Sequence, residues 1–422
     1  MRNIVQNILI GIDLNDKATL ISYYNKKDRL PVTLTTVTGT DKYQIPTVVC
    51  KRYDSEKWYY GKEALYFSER GEGTLVDNLL AKCEAGETII IEKITYEPYE
   101  ILAIFFENML QMIGTFNEPD SIGGVMISCE NYTPMSLECI PKAMKKVGIS
   151  EKKIFIQTYM ESFYYYLLNQ KKEIWTYDVA MFEYKKNEII GSILHLNRNV
   201  SPVVVSINEI ARVSVARRNQ SELEWNRTKD ARFLELVEKV LYDRPVSSAF
   251  LIGSGFDKSW ADESIVVLCN RRRVFQGENL FTKGACYAVR ERIDEKQLKG
   301  YLYESQDMIR CNIGMDMVVR GNSGYTTLIQ AGINWYEANF ECEFLLENEK
   351  EVVLLLNSLE KGEERELVIP LEGLPVRPPR AARLRLELFF ISRTICKVKI
   401  SDLGFGELYP TSNRVWESAI EL

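Results

Sequence analysis

Two aspartates at the ends of apolar runs are the residues whose type and position best suit chemistry. Asp13 comes near the end of the run "ILIGIDL", and Asp178 stands near the beginning of the run "YDVAMFEY". Carboxylates near strand ends can hold a hydrated Mg²⁺ through water molecules, and they can equally cap turns or pair with local groups. Both interpretations stay open for both aspartates at this point.

The segment around Asp13 predicts a hairpin. A strand over 8–14 is followed by the polar turn Asn15-Asp16-Lys17 and by a β-branched strand over 19–24. Hairpins of this kind can hold a nucleotide phosphate on backbone N–H groups, where glycine lets the chain approach closely. The turn has no glycine, so the hairpin is either a nucleotide site or a segment that only keeps the shape of one.

The charge and hydropathy of the chain argue against two classes of partner. The net charge is −6, whereas a protein that binds nucleic acid broadly needs a basic face. No stretch approaches the roughly 18 consecutive apolar residues that a membrane-spanning helix needs. We therefore expect neither nucleic acid nor a membrane as a partner.

The cysteines and the single histidine also limit the chemistry. The nine cysteines are scattered without a CxxC pair, which is typical of buried thiols in a reducing cytoplasm. His195 lies between apolar neighbours in "SILHLN", and we expect it to be a core residue. One histidine without clustered cysteines cannot build a zinc site, so no metal centre is predicted. A hydrolase of the Ser-His-Asp type is not expected either.

The order of predicted elements divides the chain into two parts. The first part, up to about residue 295, alternates strands and helices and has two β-rich openings, near residues 8 and 175, which indicates a duplicated α/β unit. From about residue 308 onward the pattern is one of short alternating strands, typical of an antiparallel β-sandwich. The predicted helices cover 97–116, 133–149, 160–170, 230–243 and 280–293.

A set of short motifs runs through the chain in a recognisable order. These are "GIDL", "IPTVV", "YGKEAL", "YDVAMFEY", "AFLIGSGF" and "FTKGACYA", followed in the sandwich by "GYTTLIQAGINWY" and "LVIPLEGLPVRPPRAARLRLELFF". With these motifs the chain resembles the 70-kilodalton heat-shock chaperones of the actin-like ATPase superfamily. The resemblance implies an actin-like, ribonuclease-H-like duplicated α/β domain followed by a β-sandwich that resembles the chaperone substrate-binding module, without a helical lid. The implied boundaries are 1–293 for the first domain, with lobes of about 1–170 and 171–293, then 294–307 for a linker and 308–422 for the sandwich.

The resemblance also implies a site for ATP or ADP with Mg²⁺ and a groove for a peptide. The candidates for catalysis are Asp13 and Asp178 by their places in the motifs, with Lys62 and Glu161. The family's catalytic lysine and glutamate positions fall on Leu65 and Thr158, and Lys62 and Glu161 lie near them. The candidates for nucleotide binding are Asp13, Asn15, Lys17, Asp178, Gly253, Ser254 and Gly255. The candidates for the peptide groove, which can equally be plain core residues, are Tyr325, Phe344 and Val352.

The chain departs from the family at both phosphate hairpins. Their glycines are absent, and Met181 and Phe182 are expected to put apolar bulk where phosphate oxygens would lie. Lost backbone donors weaken phosphoryl transfer, which depends on positioning and electrostatic stabilisation. The leading prediction is a heat-shock-chaperone-like, protein- or peptide-binding pseudo-ATPase with residual or absent ATPase activity. Two alternatives stay open: a divergent active ATPase and chaperone that binds ATP or ADP, and an actin-like structural protein that polymerises.

Overall fold

The chain folds into two compact units. The computed structural model describes residues 7–37, 39–53, 55–113, 121–217, 221–257, 259–277, 279–294, 296–347, 350–359 and 364–422. The first unit, Met1–Tyr303, mixes helices and sheets, and the second, Glu304–Leu422, is built from antiparallel strands. A mixed α/β part followed by an all-β part agrees with the sequence analysis at this level.

The first unit contains strands β1 to β17 and helices α1 to α8. The strands are β1 Ile8–Asp13, β2 Ala18–Asn25, β3 Leu30–Thr33, β4 Ile45–Pro46, β5 Val49–Arg52, β6 Trp58–Tyr60, β7 Gly73–Val76, β8 Ile89–Ile91, β9 Ile94–Tyr96, β10 Ile122–Cys129, β11 Ile154–Thr158, β12 Asp178–Lys185, β13 Glu188–Asn197, β14 Val203–Ser214, β15 Val246–Ile252, β16 Arg273–Gly277 and β17 Tyr301–Tyr303. The helices are α1 Gly61–Glu69, α2 Leu79–Ala85, α3 Pro98–Leu110, α4 Pro134–Lys146, α5 Tyr159–Leu168, α6 Glu222–Leu241, α7 Asp262–Cys269 and α8 Leu280–Ile293.

Two large sheets in this unit share one topology. The first has the order β11-β10-β1-β2-β3, and the second has the order β16-β15-β12-β13-β14 with β17 added at the end. In each, the opening strand is antiparallel to the next strand of the hairpin and parallel to the strand on its other side. The same order and directions occur twice, as a duplicated α/β unit requires. Strand β17 comes from the segment that the sequence analysis treats as a linker.

Helices α5 and α8 each pack against the sheet of the other half of the unit. The apolar side of α5, which follows the first sheet in the chain, packs with Val179 and Phe250 of the second sheet. In turn, α8, which follows the second sheet, packs with Leu9 and Met126 of the first. The helices approach closely at Gly284, where a Cβ atom would lie 1.9 Å from the carbonyl oxygen of Ser162. Each helix therefore packs on the sheet that precedes the other helix in the chain.

The second unit is a two-sheet sandwich. Its strands are β18 Cys311–Val319, β19 Asn322–Ile329, β20 Asn339–Leu346, β21 Glu351–Ser358, β22 Glu364–Pro370, β23 Ala382–Ser392, β24 Ile395–Asp402 and β25 Val415–Glu421. The sheet orders are β19-β18-β21-β22 and β20-β23-β24-β25. Buried and exposed residues alternate along β23 because one face of the sheet covers the core and the other meets solvent.

Candidate functional site

Asp13 is a buried carboxyl group at the end of β1. Its side chain lies on the α5 and α8 face of the sheet and is 6% exposed. The hydroxyl of Tyr159 donates a hydrogen bond of 2.6 Å to Oδ1. Burial raises the pKa of Asp13 to about 6, although the hydrogen bonds from Tyr159 and Asn15 work in the other direction. The carboxyl group is therefore held by side chains of the protein itself.

Tyr159 covers the end of β1 because of its place at the start of α5. Its ring stacks on that of Phe281, near the start of α8, with centroids 4.3 Å apart and planes inclined by 4°. Both rings are buried. Stacked aromatic rings of this kind are stabilised by their large apolar area. The pair therefore fixes the two helix beginnings over Asp13.

The turn after Asp13 bonds to its own side chains. Oδ1 of Asn15 accepts hydrogen bonds from the backbone N–H groups of Lys17, at 3.1 Å, and Ala18, at 3.0 Å. The Asn15 amide nitrogen also donates to the Tyr159 hydroxyl at 3.4 Å. Turns closed by an asparagine side chain are common, and they use backbone donors that would otherwise be available. The Lys17 side chain is exposed. Because the N–H groups of Lys17 and Ala18 already donate to Asn15, the turn offers neither of them to a bound anion.

Asp16 of the same turn bonds to a different element. Its Oδ1 accepts a hydrogen bond of 2.7 Å from the backbone N–H of Leu80, and its carboxylate also accepts from Ala81. These residues lie in the first turn of α2, where the free N–H groups attract a carboxylate. Asp16 thereby ties the turn to α2 and adds a negative charge beside Asp13.

The second hairpin differs from the expectation. Strand β12 is continuous through Lys185, which pairs with Glu188 across the turn of Lys186 and Asn187. Met181 and Phe182 are therefore interior strand residues rather than turn residues. Both are fully buried and face opposite cores. The expectation that they put apolar bulk into a phosphate turn is wrong, because the turn begins only at Lys186, four residues after Phe182.

The two predicted aspartates occupy different places. Asp178 begins β12, and seven strand steps separate it from Lys185, a distance of about 23 Å. Nζ of Lys185 lies 3.0 Å from Oε1 of Glu130. Glu130 directly follows β10, whose end is paired with the Asp13 end of β1. Asp178 thus lies at the opposite end of β12, where Oδ1 is 2.8 Å from Nδ1 of His195. The structure does not bring it to the end of the sheet at which Asp13 lies.

Glu183 is the acidic residue of β12 that lies near the Lys185 end of the strand, the end closer to Asp13. It is buried, and burial raises the pKa of its carboxyl group against the opposing influence of Lys185. Lys185 contacts Glu183 at 3.3 Å and Glu130 at 3.0 Å. Burial disfavours the charged lysine, but the two carboxylates hold its pKa above the ordinary value. The ion pairs join the ends of the two large sheets. Sequence reasoning missed these three residues, although the polar segment at 185–187 marks the turn beside them.

The turn of Gly253, Ser254 and Gly255 follows β15, and the side chain of Tyr184 packs against it. Gly253 has a φ of 104°, and a Cβ atom at Gly255 would lie 2.2 Å from the Tyr184 ring. The two glycines are therefore required by local geometry. The indole N–H of Trp260 donates a hydrogen bond of 2.8 Å to the Gly255 carbonyl oxygen.

A buried lysine lies beside this turn among aromatic rings. Nζ of Lys229 is 4.0 Å from the ring centroid of Trp260, 5.7 Å from that of Trp225 and 5.9 Å from that of Tyr184. Cation–π attraction of this kind is stronger when the ammonium is removed from water. Side chains of the protein thus fill the neighbourhood of the turn that the resemblance assigns to nucleotide binding.

The remaining candidates of the first unit lie elsewhere. Lys62 is an exposed residue in the first turn of α1, which packs against the small sheet β6-β5-β7. Glu161 is buried in the first turn of α5, where it accepts a hydrogen bond of 3.2 Å from the N–H of Thr158. It forms a capping box with Thr158, which stabilises the start of the helix.

The three candidates of the sandwich do not share a surface. Val352 of β21 is buried in the core, and Phe344 of β20 packs against that core from the other sheet. Tyr325 of β19 is 43% exposed, and its ring lies across Gly314 of the neighbouring strand. Only Tyr325 of the three is therefore available to a partner.

Two family models match the chain. Residues 30–306 match the model described as "Family of unknown function (DUF5716) C-terminal". The chain belongs to this family. Residues 308–422 match a second model, "Domain of unknown function (DUF8552)". The junction between the two models lies close to the junction of the compact units at Tyr303 and Glu304. No curated protein matches the chain.

Within the described ranges, no helix combines the length and apolar character needed to cross a membrane. In that same part of the chain, no three histidine, cysteine, aspartate or glutamate side chains are grouped so as to hold a metal ion.

Proposed function

We propose that this member of the family is a heat-shock-chaperone-like protein that binds protein or peptide partners and whose actin-like nucleotide site is closed by its own side chains. Support for the actin-like fold comes from the repeated sheet order and from the exchange of α5 and α8 between the sheets. The free thiols of all nine cysteines support a cytoplasmic location.

One observation carries the proposal. Asn15 accepts hydrogen bonds from the turn N–H groups of Lys17 and Ala18, and Tyr159 bonds to the carboxyl group of Asp13. A polyphosphate at this turn would have to displace these bonds and approach the carboxyl groups of Asp13 and Asp16. Breaking the buried bond between Tyr159 and Asp13 without replacement is costly, and like charges repel. The closed turn therefore favours a protein that works without ATP hydrolysis.

The sandwich is the proposed site of partner binding. Strand β19 lies at the end of its sheet and carries the exposed Tyr325. An outer strand can accept an extended peptide as an additional strand, with an aromatic side chain supplying contact area. We assign protein or peptide binding to this strand and expect it to be independent of nucleotide.

The experiment compares peptide binding and ATP turnover on the full chain. Anisotropy of fluorescein-labelled extended apolar peptides is measured with and without millimolar ATP and Mg²⁺, beside an assay of phosphate release. We expect saturable peptide binding that ATP leaves unchanged, weaker binding by Tyr325→Ala, unchanged binding by the matched variant Ser323→Ala, and no phosphate release above the buffer rate. Phosphate release that disappears in Asp13→Ala would instead favour the divergent ATPase.

A further inference from the structure

An aspartate, a histidine and a serine lie in one row across three neighbouring strands. The register that pairs Val179 with Leu194 sets Asp178 of β12 opposite His195 of β13. His195 is paired in turn with Ser206 of β14. Residues directly opposite each other in antiparallel strands have Cβ atoms about 4.5–5.5 Å apart and point to the same face. The imidazole therefore stands between a carboxylate and a hydroxyl.

The contact with Asp178 orients the imidazole. Oδ1 of Asp178 lies 2.8 Å from Nδ1 of His195. When Nδ1 carries the proton and donates it to this carboxylate, Nε2 keeps its lone pair and can accept a proton from a hydroxyl. The His195 side chain is 55% exposed, which contradicts the expectation of a core residue, so Nε2 is open to a small substrate.

A side-chain amide lies beside the hydroxyl. Nδ2 of Asn208 donates a hydrogen bond of 3.3 Å to Oγ of Ser206. The two residues are two positions apart on β14 and so point to one face. An asparagine amide placed beside a nucleophile can donate to the oxygen that becomes negative when a carbonyl group is attacked.

We propose that Asp178, His195, Ser206 and Asn208 form a hydrolytic site for small carboxylic esters. Oγ of Ser206 bonds to the ester carbonyl carbon while its proton passes to Nε2 of His195. The oxyanion accepts a hydrogen bond from Asn208, and its collapse breaks the bond to the alkoxy oxygen, which leaves as the alcohol with the proton from His195. Water then attacks the acyl-serine with His195 as the base, which releases the carboxylic acid and restores Ser206.

The site is separate from the closed nucleotide site. It lies at the beginning of β12, whereas Lys185 and Glu183 lie at the end of the same strand. Helix α6 covers Gly191 of β13 through Val240 and Leu236, and His195 lies four residues further along the strand. A Ser-His-Asp hydrolase was not expected because the chain has one histidine, but one is sufficient when the register places the other two groups on either side of it.

The test uses the full chain with p-nitrophenyl acetate and with a fluorophosphonate probe. We expect p-nitrophenol release with an initial burst, and peptide mapping by mass spectrometry is expected to place the phosphonate on Ser206. Ser206→Ala and His195→Gln should each lower the rate about 100-fold, and Asn208→Ala about 10-fold or more. Asp178→Asn should lower the rate and change its pH profile, because it alters the preferred tautomer of His195.

Ser214→Ala is the matched control, since Ser214 is an exposed serine on the same strand outside the row. Its rate and its labelling should equal those of the unchanged chain. Circular dichroism melting of each variant checks the fold. A rate unaffected by Ser206→Ala, or phosphonate attached to other residues only, would overturn the proposal.

Discussion

The hydroxyl of Tyr159 donates a 2.6 Å hydrogen bond to the buried carboxyl group of Asp13, across 146 positions of the chain. This bond joins the end of the first strand to the start of α5. It places an aromatic side chain, itself stacked on Phe281, where a small ligand would otherwise approach Asp13. In the function proposed above, this contact and the Asn15 turn together close the candidate nucleotide site.

The pH dependence of stability should reveal the buried carboxyl group of Asp13. Its pKa is about 6 in the folded protein against an ordinary 3.8, because burial disfavours the charged form. Protonated Asp13 therefore contributes stability that is complete below about pH 4 and is lost as the pH rises through 6. Asp13→Asn, which retains an acceptor for Tyr159, should melt about 2–6 °C higher than the unchanged chain at pH 7.5.

The same comparison at pH 4 provides the control. There the two proteins should melt at nearly equal temperatures, because Asp13 is then uncharged in the folded state and pH 4 is close to its unfolded pKa of 3.8, so most of the cost of burying the charge is absent. Melting is followed by circular dichroism at pH 4, 6 and 7.5. A melting-temperature difference that stays constant with pH would contradict a raised pKa at Asp13.

The crossing of α5 and α8 should depend on Gly284. A Cβ atom there would lie 1.9 Å from the Ser162 carbonyl oxygen, which belongs to the backbone and cannot move aside alone. Gly284→Ala should lower the free energy of unfolding by about 1–3 kcal/mol or more through overpacking. Gly300→Ala is the matched control, since a Cβ atom at that position meets nothing within 4 Å. Equal melting temperatures of the two variants would show that α5 and α8 leave room for a Cβ atom at position 284 and would contradict this close approach.

A buried ion pair should hold the segment before β23 to the end of β24. Arg377 donates to both carboxylate oxygens of Asp402, at 2.7 and 2.8 Å. Burial opposes the ionised form of Asp402, but Arg377 and Ser412 donate to it and hold its pKa well below the usual range. Arg377→Met should lower the free energy of unfolding of this unit by about 3–5 kcal/mol, because it leaves a buried charge unpaired.

The exposed pair of Arg380 with Glu347 supplies the comparison for Arg377. Arg380→Met should leave the stability of this unit nearly unchanged, because water screens this exposed pair. Amide hydrogen exchange along β23 and β24 in the full chain measures both variants. Since the pKa of Asp402 is lowered, the contribution of its ion pair is present above the unfolded pKa and is lost as the pH falls. Equal exchange in the two variants at neutral pH would refute the assigned difference.

The sequence predicts the elements better than it predicts the contacts between them. Apolar runs and turn residues locate β1, β10 and β15, since their periodicity is local. Helix α6 begins at Glu222, eight residues before its predicted start, because Ser221 and Glu224 form a capping box that extends a polar first half. That signal is present in the sequence and could have been used.

The candidate site could be predicted only in part, because its decisive contacts join distant segments. Asp13 and Asn15 were identified from their hairpin, but Tyr159 reaches them from a helix that begins 146 positions later. Asp178 was predicted to belong to the second phosphate hairpin, but it begins β12, and the turn of Lys186 and Asn187 lies at the other end of that strand. Strand register likewise brings His195 between Asp178 and Ser206, and register is set by the whole sheet.

Calorimetric titration of the full chain with ATP and Mg²⁺ tests the central claim most directly. Asn15→Gly serves as the comparison, since it frees the N–H groups of Lys17 and Ala18 from their bonds with Asn15. We predict no binding heat for the unchanged chain at millimolar ATP. Micromolar binding by the unchanged chain that is lost in Asp13→Ala would show that the hairpin is an open nucleotide site and would contradict the account.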